Sequence, residues 1–360
     1  MKTSKFNYYL PPELIAQRPV RSRDSSKLLV LNKKTGQIKH DLFLNLVNYL
    51  QAGDTLVLNN SKVFPAKMIG QKMTGGKVEI LLVKEIKSNY WECLLKGRVN
   101  TQLNQQQNKI MLYIENRKNK KNQLFLNLIK KISNGKWLIQ FSQKGKKLRE
   151  IIYKIGQAPI PPYIKRISNL KDYQTIYAQR VGSIAAPTAG FHFTQKLFNS
   201  LKKKGVKIKF ITLHVGLGTF LPVKTKKIDE HQMLSEEVSI DNETVFSLNK
   251  TKKKGGRIIA VGTSTVRALE STVKNGKFHS FYGPTNLFIK PGYKFSSFNK
   301  KFGLKNKMID GLITNFHLPK STNLVLVSQF AGKKNIDLAY QKAIEKKYRF
   351  YSFGDAMLIF

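Results

Sequence analysis

The spacing of apolar and polar positions changes partway along the chain. Residues 62–155 alternate apolar and polar side chains in runs such as KVEILLV, YWECLLK and KWLIQF, which predicts strands with one buried face. From about residue 165 onward, apolar runs typical of strands alternate with helical patterns, for example QKLFNSLKKKG after the cap residue Thr194. These patterns predict an α/β layer architecture from about residue 165 onward and an antiparallel barrel or sandwich over 62–155.

The same patterns divide the chain into three segments. We expect 1–61 to be the first part of the main α/β domain, 62–155 to be a separate antiparallel β unit with little helix, and 156–360 to be the second part of the main domain. The stretch APIPPYI at 158–164 marks the return, because its prolines exclude a regular helix. Further helices are predicted over 13–17, 42–54 and 265–276.

The charge balance changes the picture, because it indicates a polyanionic partner. Among 360 residues, 64 are Lys or Arg and 21 are Asp or Glu, a formal net charge of +43. Nucleic acid is the commonest such partner, although AT-rich coding sequence would also enrich Lys, Asn and Ile. The single Cys93 excludes an internal disulfide framework, and no apolar run approaches the ~20 residues that span a bilayer. We expect a cytoplasmic protein without a membrane partner.

Four stretches place small and hydroxyl residues directly after predicted strands. They are GSIAAPTAGFHFT (182–194), LHVGLGTFLPV (213–223), AVGTSTVRALES (260–271) and TNFHLPKST (314–322). Ligands of open α/β sheets bind beyond the carboxyl ends of strands, where glycine lets the backbone approach closely and helix-start N–H groups attract anions. We therefore expect these four stretches to converge on one cleft.

Three histidines in these stretches are candidates for proton chemistry: His192, His214 and His317. An imidazole titrates near neutral pH, although a lone histidine is often a satisfied structural residue. Arg267 could hold a carboxylate or phosphate, or could be a plain surface arginine. Neither GLGTF nor GTST fits a dinucleotide or P-loop motif, and no spacing indicates a metal site.

The four stretches, together with FNYYLPPELIAQRPVRSRDSSKLLVL, PGYKF and YRFYSFGDAMLI, resemble the S-adenosylmethionine:tRNA ribosyltransferase-isomerases of queuosine synthesis, the QueA family. The resemblance covers nearly the whole chain in the expected order. It implies a mixed α/β (α+β) main domain with an inserted small antiparallel β-barrel domain at 62–155, in agreement with the change of pattern there. It also implies a transferase that uses S-adenosylmethionine as a ribosyl donor, with no tightly bound cofactor and no metal. The acceptor would be 7-aminomethyl-7-deazaguanine at the wobble position of a tRNA anticodon loop. The products would be epoxyqueuosine-tRNA, adenine and methionine, and we expect a monomer.

For that chemistry we expect His192 or His214 to act as the base, with His317 and Glu236 nearby for acid or ribose contacts. The remaining candidates are substrate-binding: Arg23, Asp24, Thr188, Gly190, Gly216, Gly218, Thr219, Thr263, Arg267, Tyr293 and Asn315. Two positions depart from the family pattern. Leu234 replaces the second histidine of H-x-M-H-x-E, and Lys27 stands where the family usually has arginine.

Two other classes of protein remain open at this point. A non-enzymatic basic RNA-binding protein would explain the charge but not the four strand ends. A small-molecule α/β transferase would explain the strand ends and leave the charge incidental. Release of adenine from S-adenosylmethionine separates these two classes from the tRNA ribosyltransferase. The ribosyltransferase would release adenine only with RNA that carries the precursor base, the RNA-binding protein would never release it, and the small-molecule transferase would need no RNA.

Overall fold

The structure is a computed structural model that describes residues 1–97, 109–113, 123–132, 135–165, 170–216, 218, 222–299 and 305–360. The chain forms two compact units. One combines Met1–Lys62 with Pro161–Phe360, and the other is the contiguous stretch Val63–Ile160. None of the helices in the described ranges is long and apolar enough to cross a membrane.

The strands and helices alternate in the main unit, whereas strands dominate the other unit. In chain order the strands are β1 (Lys27–Leu31), β2 (Ile38–Leu42), β3 (Thr55–Asn59), β4 (Ser61–Val63), β5 (Lys67–Lys72), β6 (Lys77–Lys87), β7 (Tyr90–Lys96), β8 (Lys109–Tyr113), β9 (Gln123–Lys131), β10 (Lys136–Phe141), β11 (Arg180–Ser183), β12 (Lys207–Leu213), β13 (Glu236–Ile240), β14 (Ile258–Val261), β15 (Val273–Lys274), β16 (Lys277–Phe278), β17 (Phe281–Thr285), β18 (Ser297–Asn299), β19 (Lys305–Lys307), β20 (Gly311–Asn315) and β21 (Ala356–Ile359). The α-helices are α1 (Gly145–Ile155), α2 (Gln195–Lys203), α3 (Asn242–Lys253), α4 (Thr263–Glu270), α5 (Thr322–Ala331) and α6 (Lys333–Glu345).

A nine-stranded sheet forms the centre of the main unit, in the order β17-β13-β12-β3-β14-β20-β21-β1-β2. The four consecutive strands β12, β3, β14 and β20 are parallel to one another, and antiparallel neighbours flank them. Both faces of the sheet are buried. In β3, Val57 joins one apolar cluster, while Leu56 and Leu58 join the cluster on the opposite face. A sheet covered on both faces is typical of parallel strands, and the predicted mixed α/β class is confirmed.

The other unit contains a closed antiparallel barrel in the order β10-β7-β6-β5-β8-β9, which confirms the predicted barrel. Alternation fills its interior: in β6, Val78, Ile80 and Leu82 are buried, and the residues between them are less buried. The expectation of little helix was wrong, because α1 follows β10. Leu148 and Ile152 of α1 are buried four residues apart, a helical pattern that the many surrounding lysines obscured in the sequence.

Three predicted helices of the main unit differ in the structure. The segment predicted as a helix over 42–54 is a 3₁₀ helix over Phe43–Tyr49. Where a helix was predicted over 13–17, the chain forms only a 3₁₀ turn, Pro12–Leu14. The helix predicted to end at Gly276 already ends at Glu270 in α4. Beyond it, β15 and β16 pair as a hairpin across Asn275-Gly276, and both turn residues have positive φ. Asn-Gly favours such a two-residue hairpin turn, and we had interpreted Gly276 as a helix end.

Candidate active site

The four parallel strands end at the same edge of the sheet, and residues that follow β12, β14 and β20 line one cavity there. Its empty space is about 750 Å³, part of it open to solvent. Each of the four small-residue stretches contributes to the wall, so the structure brings them together as expected. The lining residues are Tyr163, Ala186, Pro187, Thr188, Ala189, Val215, Glu236, Gly262, Thr263, Ser264, Arg267, Thr314, Asn315, Phe316, His317, Leu318, Ser321, Asn323, Tyr351 and Ser352.

The sharp turn from β14 into α4 carries hydroxyl groups to the cavity. Gly262 has a φ of 92°, which a residue with a side chain rarely adopts, and its N–H donates to the carbonyl of Ile313 at 2.8 Å. The Thr263 hydroxyl donates to Asn323 Oδ1 at 3.0 Å. Thr263 and Ser264 therefore stand at the beginning of α4 with their positions fixed by β20 and α5.

A buried ion pair lies at one end of the cavity. Arg267 Nη1 donates to Glu236 Oε2, and both side chains are less than a tenth exposed. Glu236 Oε1 accepts the N–H of Gly216 at 2.7 Å, and Arg267 Nε donates to the carbonyl of Leu287 at 3.0 Å. Arg267 Nη2 is buried without a partner. One guanidinium N–H group next to the cavity is thus available for an acceptor such as a carboxylate.

His317 is the candidate histidine that lines the cavity. Its Nε2 lies 2.8 Å from Thr314 Oγ1, and its backbone N–H donates to the hydroxyl of Tyr340 at 2.8 Å. Burial lowers the pKa of His317 to about 3. The ring is therefore neutral at physiological pH, and Nδ1 is the ring nitrogen that Thr314 does not contact.

His192 does not line this cavity. Its Nδ1 lies 2.7 Å from Ser26 Oγ, and its ring packs on Phe43 with the centroids 4.9 Å apart. It faces a smaller cleft of about 220 Å³ that Arg23 and Arg349 also line. Burial lowers the pKa of His192 to about 3, with the charge of Arg349 acting in the same direction. These contacts describe a neutral, firmly packed imidazole.

His214 lies outside the lining as well. Its ring packs against Gly182, where a Cβ would come within 2.7 Å of the imidazole, so the first small-residue stretch is bare partly to accommodate this ring. Its Nδ1 is buried without a partner, and burial lowers the pKa of the ring, against the opposing charge of Glu237.

Arg23 and Asp24 connect loops rather than reach the cavity. Arg23 donates to the carbonyls of Gln174 at 2.6 Å and Asp172 at 3.1 Å. Asp24 accepts the hydroxyl of Thr194 at 2.6 Å, which ties the start of the chain to the beginning of α2.

The other predicted binding residues divide between the wall and its supports. Thr188, Thr263 and Asn315 line the cavity, whereas Gly190 makes room for Tyr177, whose hydroxyl would lie 1.9 Å from an added Cβ. Tyr293 is half-buried and donates its hydroxyl to Glu270 at 2.9 Å, so it does not line this cavity. A side chain at Gly218 would contact Leu234, the residue that departs from the family pattern. Thr219 lies outside the described residues.

Sequence reasoning missed an aromatic end of the cavity. Tyr163 and Tyr351 line it with their ring centroids 4.8 Å apart, and the Tyr163 hydroxyl lies 2.7 Å from Ser352 Oγ. The available signals were the stretches APIPPYI and YRFYSFGDAMLI, which we had used only for a domain boundary and a resemblance. Within the described ranges, no group of three or more His, Cys, Asp or Glu residues could hold a metal ion.

We expect stability to fall below about pH 6.5, because His192 and His317 both have a pKa of about 3 in the folded protein. The unfolded chain takes up a proton at each ring near pH 6.5, whereas the folded protein does so only as the pH approaches 3. At about pH 5 this difference lowers the free energy of unfolding by about 2 kcal/mol per histidine. Denaturant midpoints between about pH 7.5 and about pH 5 measure the loss.

The matched variants are His192→Gln and His279→Gln, the second at an exposed position. His192→Gln should reduce the pH-dependent drop by about 2 kcal/mol at about pH 5, because its ring no longer takes up a proton in the unfolded chain, and His279→Gln should reduce it less. An unchanged drop in His192→Gln would contradict the burial argument.

Comparisons with known proteins agree over the whole chain. A family model described as queuosine biosynthesis protein matches residues 3–359. Curated proteins named S-adenosylmethionine:tRNA ribosyltransferase-isomerase from Thermoanaerobacter sp. (strain X514) and Thermosipho melanesiensis are 48% and 45% identical, over 100% of this chain and of each relative. A crystal structure of S-adenosylmethionine tRNA ribosyltransferase from Thermotoga maritima is 35% identical and superposes with a TM-score of 0.54, covering 99% of this chain and 100% of that chain.

Proposed function

Because the chain belongs to the queuosine biosynthesis protein family and is a transferase of the tRNA ribosyltransferase-isomerase type, we propose the following reaction. The ribosyl moiety of S-adenosylmethionine moves to the aminomethyl group of 7-aminomethyl-7-deazaguanine at the wobble position of tRNA. Rearrangement of the sugar gives the epoxycyclopentane of epoxyqueuosine, and adenine and methionine leave. The observation that carries this proposal is the convergence of all four small-residue stretches on one cavity beside the Arg267–Glu236 pair.

The donor is bipolar, and the ionic end of the cavity suits its amino acid end. The carboxylate of the methionine portion would accept from the unpartnered Nη2 of Arg267 and from hydroxyl or N–H groups at the beginning of α4. Glu236 is already paired with Arg267, so it would orient the guanidinium and add a negative charge on the side of the sulfonium.

Proton transfer falls to His317 in this proposal, because a base must be within reach of the donor and His192 and His214 do not line the cavity. The sulfonium acidifies the C5′ hydrogens of the donor, and the neutral Nδ1 of His317 accepts one of them as a proton, which leaves the electron pair of the C–H bond on C5′ as a sulfonium ylide. A buried imidazolium is a strong acid, which favours passing the proton to a ring nitrogen of adenine as the glycosidic bond breaks. His192 would then have a structural role, because it contacts Ser26 and packs on Phe43 outside the cavity.

The excess of basic residues suits the tRNA substrate. A net charge of +43 attracts the phosphate backbone without reading sequence, whereas an anticodon-loop base can be unstacked and read at its edges. We infer that the reacting base enters the cavity opening from outside while the donor occupies its floor.

Adenine release in single turnover tests this proposal. Purified protein with S-adenosylmethionine should release adenine only when tRNA carrying the precursor base is present, and tRNA with an unmodified guanine at the wobble position is the matched control. Release without RNA would favour a small-molecule transferase. Absence of release with tRNA that binds would favour a non-enzymatic RNA-binding protein.

A further inference from the structure

The two ends of the cavity differ in chemistry, and the sheet order separates them. Arg267 on α4 reaches toward Glu236 on β13, on one side of β14, whereas Tyr351 and Ser352 lie a few residues before β21, on the other side. Two strand spacings of about 4.8 Å lie between β14 and β21, so the ends are separated by roughly 10 Å. A ligand that fills the cavity would touch an ion pair at one end and aromatic rings at the other.

Tyr351 has a strained backbone at that aromatic end. Its φ is 69°, in the left-handed region that few bulky residues adopt. Hydrogen bonds from β20 and the residue after it hold the conformation: Asn315 Nδ2 donates to the Tyr351 carbonyl at 3.1 Å, and the Tyr351 N–H donates to the Phe316 carbonyl at 3.1 Å. Strain of this kind concentrates at functional sites, where the surrounding structure enforces it.

Tyr163 completes the aromatic end. Its ring is tilted by 55° against that of Tyr351, and its hydroxyl is fixed by Ser352 at 2.7 Å. Tyr163 belongs to the segment just after the inserted barrel and Tyr351 to the segment before the last strand. Two distant parts of the chain are thus each anchored by hydrogen bonds to present rings to the same space.

We propose that Tyr351 and Tyr163 form the wall against which the adenine ring of the donor packs, an inference that rests on the proposed function. With the amino acid portion at Arg267, the sulfonium and ribose occupy the middle of the cavity and the purine reaches the far end. A planar heteroaromatic ring packs favourably on tyrosine, and base–aromatic contacts tolerate the loss of a hydroxyl but not of the ring.

The test replaces the ring while keeping the backbone conformation. Asparagine tolerates positive φ, so Tyr351→Asn removes the ring with little backbone cost, and Tyr351→Phe removes only the hydroxyl. Equilibrium dialysis with labelled adenine at saturating tRNA needs no turnover. We expect the adenine Kd to rise about tenfold or more in Tyr351→Asn and less than threefold in Tyr351→Phe. Tyr163→Leu is the second ring deletion, and Tyr282→Leu, at a tyrosine that is 86% exposed, is the control.

Steady-state constants assign the occupant. In Tyr351→Asn the KM for S-adenosylmethionine should rise with the adenine Kd, while the KM for tRNA stays within twofold. A rise in the tRNA KM alone would show that the wall holds the wobble base, and an unchanged adenine Kd in both ring deletions would also overturn the proposal. If the wild-type protein binds adenine but releases none from S-adenosylmethionine, the proposed function would be contradicted. The proposal that Tyr351 and Tyr163 bind adenine would still stand.

Discussion

Replacing Arg267 with methionine should lower the free energy of unfolding by about 3–5 kcal/mol, because it leaves Glu236 as an uncompensated charge in a buried position. Loss of the charged donor for the substrate carboxylate should also raise the KM for S-adenosylmethionine at least about tenfold. Chemical denaturation and steady-state kinetics measure the two effects separately.

A double variant separates stability from binding. Glu236→Gln combined with Arg267→Met removes the orphaned charge and keeps an oxygen that can accept the N–H of Gly216. We expect it to recover most of the stability and none of the donor affinity. Lys333→Met, which breaks the exposed pair with Asp337, should cost less than about 1 kcal/mol. Full donor affinity in the double variant would exclude Arg267 from the binding site.

Replacing His317 with glutamine should slow adenine release in single turnover by about 10²–10⁴, the usual contribution of general acid–base catalysis. Glutamine can still hydrogen-bond to Thr314, so the variant should remain folded. Product analysis by mass spectrometry of the tRNA would show unreacted precursor base in proportion to the lost rate.

The same assay on His192→Gln provides the comparison, because burial lowers the pKa of His192 to about 3, as it does for His317, but His192 does not line the cavity. We expect its loss to stay below about tenfold, with a lower unfolding midpoint. If His192→Gln loses the greater share of activity while His317→Gln retains most of its rate, the base assignment must be reversed.

The ends of the parallel strands were predictable from the sequence, because the residues that mark a strand end are adjacent to the strand in the chain. Gly, Ser and Thr directly after an apolar run indicate an exposed backbone at a strand terminus, and parallel strands then bring such termini to one edge. That reasoning groups Thr188, Thr263, Asn315 and His317, and all four line one cavity in the structure. It could not tell which histidine faces the cavity, because the 3₁₀ helix Thr188–His192 places His192 against Ser26, a contact between residues 166 positions apart.

Features that depend on distant pairing were not predictable. The Arg267–Glu236 pair joins residues 31 positions apart on a helix and a strand, and neither spacing nor composition indicates it. The strain at Tyr351 arises only because Asn315 and Phe316 hold its backbone. At α1, a local signal existed among the lysines, because Leu148, Ile151 and Ile152 recur at helical spacing.

The position of β3 in the sheet has a consequence for biosynthesis. Its two neighbours, β12 and β14, follow it by roughly 150 to 200 residues, with the whole barrel unit translated in between. At about 5–20 residues per second, the nascent N-terminal segment waits on the order of 10–40 s for its first partners. The barrel is contiguous and can close while it waits, so the apolar β3 segment is the part of the newborn chain most in need of chaperone protection on the ribosome.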